Sequence, residues 1–182
     1  VPVLFGEWGL AKPERPGMDE FVKRSLALMD RHGSGWTVFT GCRGSSYCVW
    51  DADGNDRPNI GQTTAPWARA VAGAPVRHAW DPTTRTLVVA FDDSSATGTT
   101  DLVVPGARVY PDGWQIVSAD APGSWSTSST DGSMARPEVV SITAPRGEGG
   151  THVFCLQPEG STAACEVPAD DEPTEPTTPT TV

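Results

Sequence analysis

The chain has 182 residues and a formal net charge of −10 at pH 7, which argues against nucleic acid or an anionic membrane surface as its main partner. Hydrophobic residues make up only 37% of the sequence, while 19 Gly and 17 Pro favour loop-rich β structure. No stretch approaches the ~20 apolar residues of a transmembrane helix. The sequence starts without Met and inside a strand pattern, so we expect a piece of a longer protein.

A short apolar run opens the chain and leads into a single carboxylate. Residues 1–5 predict a strand buried on both faces, as in a parallel sheet. Glu7 follows between Gly6 and the pair Trp8-Gly9. A carboxylate at the end of a buried strand is costly unless it has a partner or a chemical role. The residues alone leave two interpretations open, a catalytic carboxylate and an ordinary loop acid.

The next elements predict a parallel βαβ unit. Asp19 is a candidate cap for a helix that ends at Gly33. A further strand, rich in β-branched and aromatic residues, covers 35–40. Because both strands are of the buried type and a helix lies between them, they should pair in parallel. The apolar stripe of the helix consists of Phe21, Val22, Ser25, Leu28 and Met29.

Four cysteines form two local pairs, Cys42 with Cys48 and Cys155 with Cys165. Their spacing disfavours zinc and favours two short-loop disulfides in an exported protein, either secreted or displayed at the cell surface. The first pair lies in a loop with Tyr47 and Trp50, followed by an Asp-rich run at 51–55 that resembles half a calcium loop. No Glu follows at the twelfth position, so we expect no calcium site there. No other metal and no cofactor are expected.

The second half of the sequence changes from helical to strand patterns. Residues 62–72 predict a short helix that packs Trp67 and Val71. Short strands divided by turns then predict an antiparallel β-sandwich, with strands at 76–80, 86–91, 101–104, 113–117, 139–143 and 151–156. A Pro/Thr-rich tail follows. The fold class is therefore α/β plus all-β, with regions at 1–73, 74–166 and 167–182.

Three stretches, in this order, carry a resemblance to a known family. Residues 3–9, Val-Leu-Phe-Gly-Glu-Trp-Gly, resemble the strand-seven motif of glycoside hydrolase family 5, and residues 35–39 stand where that family has its eighth barrel strand. Residues 65–75 are similar to the segment that joins barrel and sandwich in endoglycoceramidase-like members, and the steps Val104-Pro105 and Tyr110-Pro111 fit that subgroup. The resemblance extends from residue 1 to about residue 158.

The resemblance implies the last βαβ portion of a (β/α)8 TIM barrel, a C-terminal sandwich and a retaining β-glycosidase. Glu7 would be the nucleophile at the carboxyl end of a barrel strand. The acid/base partner normally follows the fourth strand in an Asn-Glu pair, and this sequence contains no such pair. Glu14 and Glu20 are poor substitutes. We therefore expect a C-terminal part that needs the missing N-terminal barrel portion and is inactive alone.

Tryptophans are the expected sugar-binding side chains, since their flat faces suit sugar rings. Where many family members have a Trp near the end of strand eight, this sequence has Phe39. Stacking on substrate is therefore expected from Trp36 or Trp50, with core packing as the alternative role of Trp36, and Trp8 is expected to form the pocket wall. Arg43 is a further candidate contact, although a solvated charge is the favoured interpretation of this residue.

A glycolipid headgroup is the favoured substrate, followed by β-glucan or another β-glucoside. Two other classes of protein stay open. In the first, the sandwich is a non-catalytic module that binds carbohydrate or a cell surface. In the second, the Thr/Pro tail belongs to an adhesin-like cell-wall protein.

Overall fold

The computed structural model describes residues 3–32, 35–93, 98–130, 137–145 and 149–168. Most of the tail predicted at 167–182 therefore lies outside the described residues. The helices are α1 (Met18–His32) and α2 (Pro58–Thr63), and a 3-10 turn covers Gly106–Arg108. The strands are β1 (Leu4–Trp8), β2 (Gly35–Val38), β3 (Trp67–Ala70), β4 (Ala74–Asp81), β5 (Thr86–Asp92), β6 (Thr100–Val104), β7 (Trp114–Ser118), β8 (Ser126–Thr130), β9 (Glu138–Thr143) and β10 (Thr151–Pro158).

The N-terminal region is the expected βαβ unit. β1 and β2 pair in parallel, and α1 lies between them in sequence. Two ion pairs on the exposed side of α1 support its first turns, Lys23 with Asp19 at 3.1 Å and Arg24 with Glu20 at 2.7 Å. The helix predicted from the apolar stripe is confirmed.

The burial of this region differs from the prediction. Leu4 is 67% exposed, so the expectation that the first strand is buried on both faces is wrong for the described residues. On α1, Val22 and Met29 are buried, whereas Phe21 and Leu28 are 48% and 58% exposed. The physical reason is that β1 and β2 form a sheet of only two strands, which has too few neighbours to cover both of its faces.

The C-terminal region is built from two four-stranded antiparallel sheets, with strand orders β4-β5-β10-β7 and β3-β6-β9-β8. Phe91, Leu102 and Phe154 are among the fully buried residues of their common core. Three partly buried tryptophans pack against this core, namely Trp80, Trp114 and Trp125. Antiparallel sheets that share one core form the predicted β-sandwich.

The helix predicted over 62–72 is wrong. α2 ends at Thr63, and β3 pairs antiparallel with β6 through Trp67 opposite Val103 and Ala68 opposite Leu102. Pro58 starts α2, where the fixed backbone angle of proline suits the first helical position. Pairing with a buried strand overrides the helix propensity of the alanines in Ala68-Arg69-Ala70. One sheet of the sandwich thus includes residues ahead of the predicted boundary at residue 74.

Candidate functional site

Glu7 lies at the carboxyl end of β1, beside β2. The register places Phe5 opposite Trp36 and Trp8 opposite Val38, with an irregularity between these two pairs. The Glu7 side chain is exposed, and no hydrogen bond or ion pair from the described residues holds its carboxylate. A carboxylate at the carboxyl end of parallel strands is open to solvent and to a ligand, which is where α/β folds place their sites.

Trp8 and Trp36 contact each other next to Glu7. Their ring centroids lie 5.8 Å apart with an interplanar angle of 65°, an edge-to-face packing. The indole nitrogen of Trp8 is buried and has no hydrogen-bond partner among the described residues. Trp8 therefore packs with its ring against Trp36. Both predicted aromatic residues on the strands thus come together, while Trp50 lies on the loop after β2.

The backbones beyond β1 and β2 approach very closely. The amide of Phe39 donates to the carbonyl of Trp8 at 2.6 Å. A Cβ atom at Gly9 would lie 2.0 Å from the carbonyl oxygen of Phe39, so only glycine fits at this position. The Phe39–Thr40 peptide bond is cis. Phe39 also meets Tyr47 edge-on at 6.0 Å, and both rings are nearly half exposed.

Arg57 holds together the two loops that border the site. Its Nη1 donates to the carbonyls of Ser45 at 3.0 Å and Ser46 at 3.2 Å, inside the loop closed by the Cys42–Cys48 disulfide. Its Nε lies 3.3 Å from the carboxylate of Glu14, on the loop after β1. The sequence gives no signal for this role, because it depends on carbonyls that the folded loop brings together.

The indole of Trp50 is held by an acid rather than by another ring. Its Nε1 donates to Oδ1 of Asp56 at 3.1 Å, and Oδ2 of Asp56 pairs with Arg108 of the sandwich. Trp50 also forms isolated backbone bridges with Arg43 and Asp56. Asp56 and Arg108 are functional candidates that sequence reasoning missed, since 52 residues separate them in the chain.

The Asp-rich run after Trp50 forms a closed turn. The Asp51 carboxylate accepts two hydrogen bonds from Asn55, one from the backbone N–H at 2.8 Å and one from the side-chain Nδ2 at 3.0 Å. The side-chain hydrogen bond from Asn55 is the largest cause that lowers the pKa of Asp51. Within the described ranges, no three His, Cys, Asp or Glu side chains are grouped as metal ligands.

The second disulfide lies in the sandwich, apart from Glu7. Cys155 of β10 is fully buried and bonds to Cys165. The bond ties the segment after β10 to a small cluster formed by Val88, Ala90 and Val153. The structure therefore contains both cysteine pairs that the spacing indicates. None of the helices in the described part of the chain has the length and apolar character that crossing a membrane requires.

Comparison with known proteins agrees with this architecture. Residues 66–152 match the family model of the glycoside hydrolase family 5 C-terminal domain. Residues 66–152 thus match the C-terminal domain of this family, which confirms the resemblance of the sequence to the C-terminal part of a glycoside hydrolase family 5 protein. No curated protein matches.

Solved structures show the same fold. Endo-glycoceramidase II from Rhodococcus sp., solved as a lactosyl-enzyme intermediate, is similar with a TM-score of 0.65 and 19% identity over 87% of this chain and 33% of that chain. Sterylglucosidase 1 of Cryptococcus neoformans gives a TM-score of 0.64 and 12% identity over 87% of this chain and 29% of the other. The chain therefore spans about a third of these structures.

Proposed function

We propose that this chain supplies the nucleophile of a retaining β-glycosidase, and that its βαβ unit is the last portion of a (β/α)8 barrel. The observation that supports this most is the position of Glu7. It stands exposed at the carboxyl end of a parallel strand, in a chain that also contains a family 5 C-terminal domain. Catalytic residues of (β/α)8 barrels lie at that end of the strands.

In the proposed reaction, an oxygen of Glu7 forms a bond to the anomeric carbon while the bond from that carbon to the leaving oxygen breaks. A second carboxylic acid gives its proton to the leaving oxygen. The same group, now a carboxylate, then takes a proton from the water that attacks the anomeric carbon and releases Glu7.

The second carboxyl group comes from outside this chain in our proposal. Glu14 pairs with Arg57, and Glu20 pairs with Arg24 on the exposed side of α1, so both are engaged elsewhere. The exposed β1 and the exposed residues Phe21 and Leu28 provide apolar surface on which the rest of a barrel would pack. The chain alone should therefore be inactive.

The proposed substrate is the sugar headgroup of a glycolipid, with β-glucan or another β-glucoside as the alternative. One neighbour was solved as a ganglioside GM3 complex, and another is named for a sterol glucoside, so both names join a sugar to an apolar group. Trp36 and Trp50 would bind the sugar, and Trp8 would support Trp36. The two disulfides support a secreted or cell-surface location.

The test is the substitution Glu7→Gln in the whole protein that contains this chain, assayed on an aryl β-glycoside. Gln keeps the shape of Glu but cannot attack the anomeric carbon, so kcat should fall by about three orders of magnitude or more. Glu159→Gln, an exposed carboxylate of the sandwich, is the matched control and should leave kcat unchanged. Retained hydrolysis in Glu7→Gln would refute the nucleophile assignment.

A further inference from the structure

Asp56 connects the loop after β2 to the sandwich. One of its carboxylate oxygens accepts the indole N–H of Trp50, and the other pairs with the guanidinium of Arg108. One carboxylate oxygen of Asp56 therefore contacts the loop after β2, and the other contacts the sandwich. The orientation of the Trp50 ring is coupled to the position of Arg108 through this single carboxylate.

The sandwich holds Arg108 in a fixed place. Arg108 ends the 3-10 turn that follows the core strand β6. Directly after it, the carbonyl of Val109 accepts a hydrogen bond from Arg85 at 3.1 Å. The hydroxyl of the buried Tyr110 donates to the carbonyl of Arg85 at 3.1 Å. The turn that presents Arg108 is therefore anchored through Arg85 to the turn between β4 and β5, two strands of the other sheet.

We propose that the sandwich positions Trp50 for substrate through Arg108 and Asp56. A sugar stacks on the face of an indole ring, so binding depends on the plane in which that ring is held. The N–H···O bond to Asp56 restrains the edge of the Trp50 ring, and a charged acceptor makes such a bond stronger than a neutral one. Asp56 and Arg108 are positioning residues, and they touch the indole or its partner rather than the reacting atoms.

The pair contributes geometry more than stability. Asp56 and Arg108 are both partly exposed, and solvent-exposed ion pairs contribute little to the free energy of unfolding. Arg69 and Asp101 form a comparable ion pair at 3.0 Å within the sandwich, where Asp101 also accepts from Thr99. That pair is a matched control, because neither of its members donates to or accepts from a tryptophan among the described contacts.

The first experiment measures the orientation of Trp50 without any assay of activity. The indole N–H resonance of Trp50 is followed by NMR in the whole protein that contains this chain and is assigned with Trp50→Phe. Arg108→Gln should shift this resonance and speed its exchange with solvent. Asp56→Ala should do so more strongly, and Arg108→Lys should restore much of the wild-type signal. An unchanged Trp50 resonance in Arg108→Gln, or an equal shift in Arg69→Gln, would overturn the positioning role.

The second experiment addresses substrate and rests on the proposed function. In the whole protein, Arg108→Gln should raise KM about threefold on a glycoside long enough to reach Trp50, with little change in kcat, as expected for the loss of one weak binding contribution. Arg69→Gln should leave both constants unchanged. A shifted Trp50 resonance with an unchanged KM would refute Trp50 as a substrate contact. Retained hydrolysis in Glu7→Gln would instead refute the nucleophile, while the NMR result still decides the positioning role.

Discussion

The βαβ unit and the sandwich differ most in how completely they bury their own residues. In the sandwich, residues such as Phe91 and Phe154 are fully enclosed by two sheets. In the βαβ unit, Leu4, Phe21 and Leu28 face solvent, although the sequence marks them as apolar. The candidate nucleophile Glu7 lies in the region that buries less. The candidate site and the well-packed core are therefore located in different parts of this chain.

The difference in burial between the two regions predicts that a substitution in the sandwich core lowers the free energy of unfolding most. Phe154 is fully buried, stacks on Phe91 at 6.0 Å and meets Trp125 edge-on at 5.5 Å. Phe154→Ala should lower the free energy of unfolding by about 3–5 kcal/mol, measured by denaturant titration. Phe39→Ala removes a ring that is nearly half exposed and should cost less than about 1 kcal/mol. Equal losses would contradict the contrast between the two regions.

Removing each disulfide in turn should affect different properties, namely the stability of the sandwich in one case and the geometry of the candidate site in the other. The Cys155→Ala/Cys165→Ala variant opens a bond that spans ten residues and should lower the free energy of unfolding of the sandwich by about 2–3 kcal/mol. The Cys42→Ala/Cys48→Ala variant should change that unfolding transition less, because its bond lies in the loop beside the site. Its main effect should be weaker substrate binding in the whole protein. A sandwich transition that responds equally to both variants would break the comparison.

The smallest expected effect is on the pH dependence of stability. Burial opposes the charged form of Asp101, but hydrogen bonds from Thr99, Ser141 and Arg69 outweigh it and hold the pKa of this carboxyl below its ordinary value of 3.8. A lowered folded-state pKa contributes stability above the unfolded-state value, and this contribution is lost as the pH falls through the folded-state pKa.

Asp101→Asn should therefore lose less stability than wild type when the pH drops from about 5 to about 2, by under about 1 kcal/mol. The free energy of unfolding at each pH is the measurement. Thr99→Val removes one of the stabilising hydrogen bonds and should give an intermediate slope. A steeper acid loss in Asp101→Asn than in wild type would contradict the assignment.

The order of apolar and polar residues along the chain predicts much of the fold. This is because the buried face of a helix and the turns that bound a strand are both visible in consecutive residues. The amphipathic stripe of α1 and the turn-bounded strands β4 to β7, β9 and β10 were all found from this order. β8 was missed because Ser126–Thr130 is an exposed strand of Ser and Thr only, with no apolar alternation. β3 was missed because its pairing with β6 overrides a helical composition.

In the candidate site too, contiguous motifs can be predicted from the sequence, whereas contacts between distant residues cannot. Glu7 could be found from a short motif at a strand end, since the motif is contiguous in sequence. The contact of Asp56 with Arg108 could not be predicted, because the sandwich must fold before these residues meet. Arg57 likewise acts on backbone carbonyls, whose positions no side-chain pattern encodes.

The central claim is that Glu7 attacks the sugar, and covalent labelling tests it most directly. The whole protein is treated with a fluorinated β-glycoside that has a good leaving group, which forms the glycosyl-enzyme faster than water removes it. Digestion and mass spectrometry then locate the sugar. We predict that it is bound to Glu7, and that Glu159→Gln labels as wild type does. A sugar found on any other carboxylate, with Glu7 unmodified, would contradict the assignment.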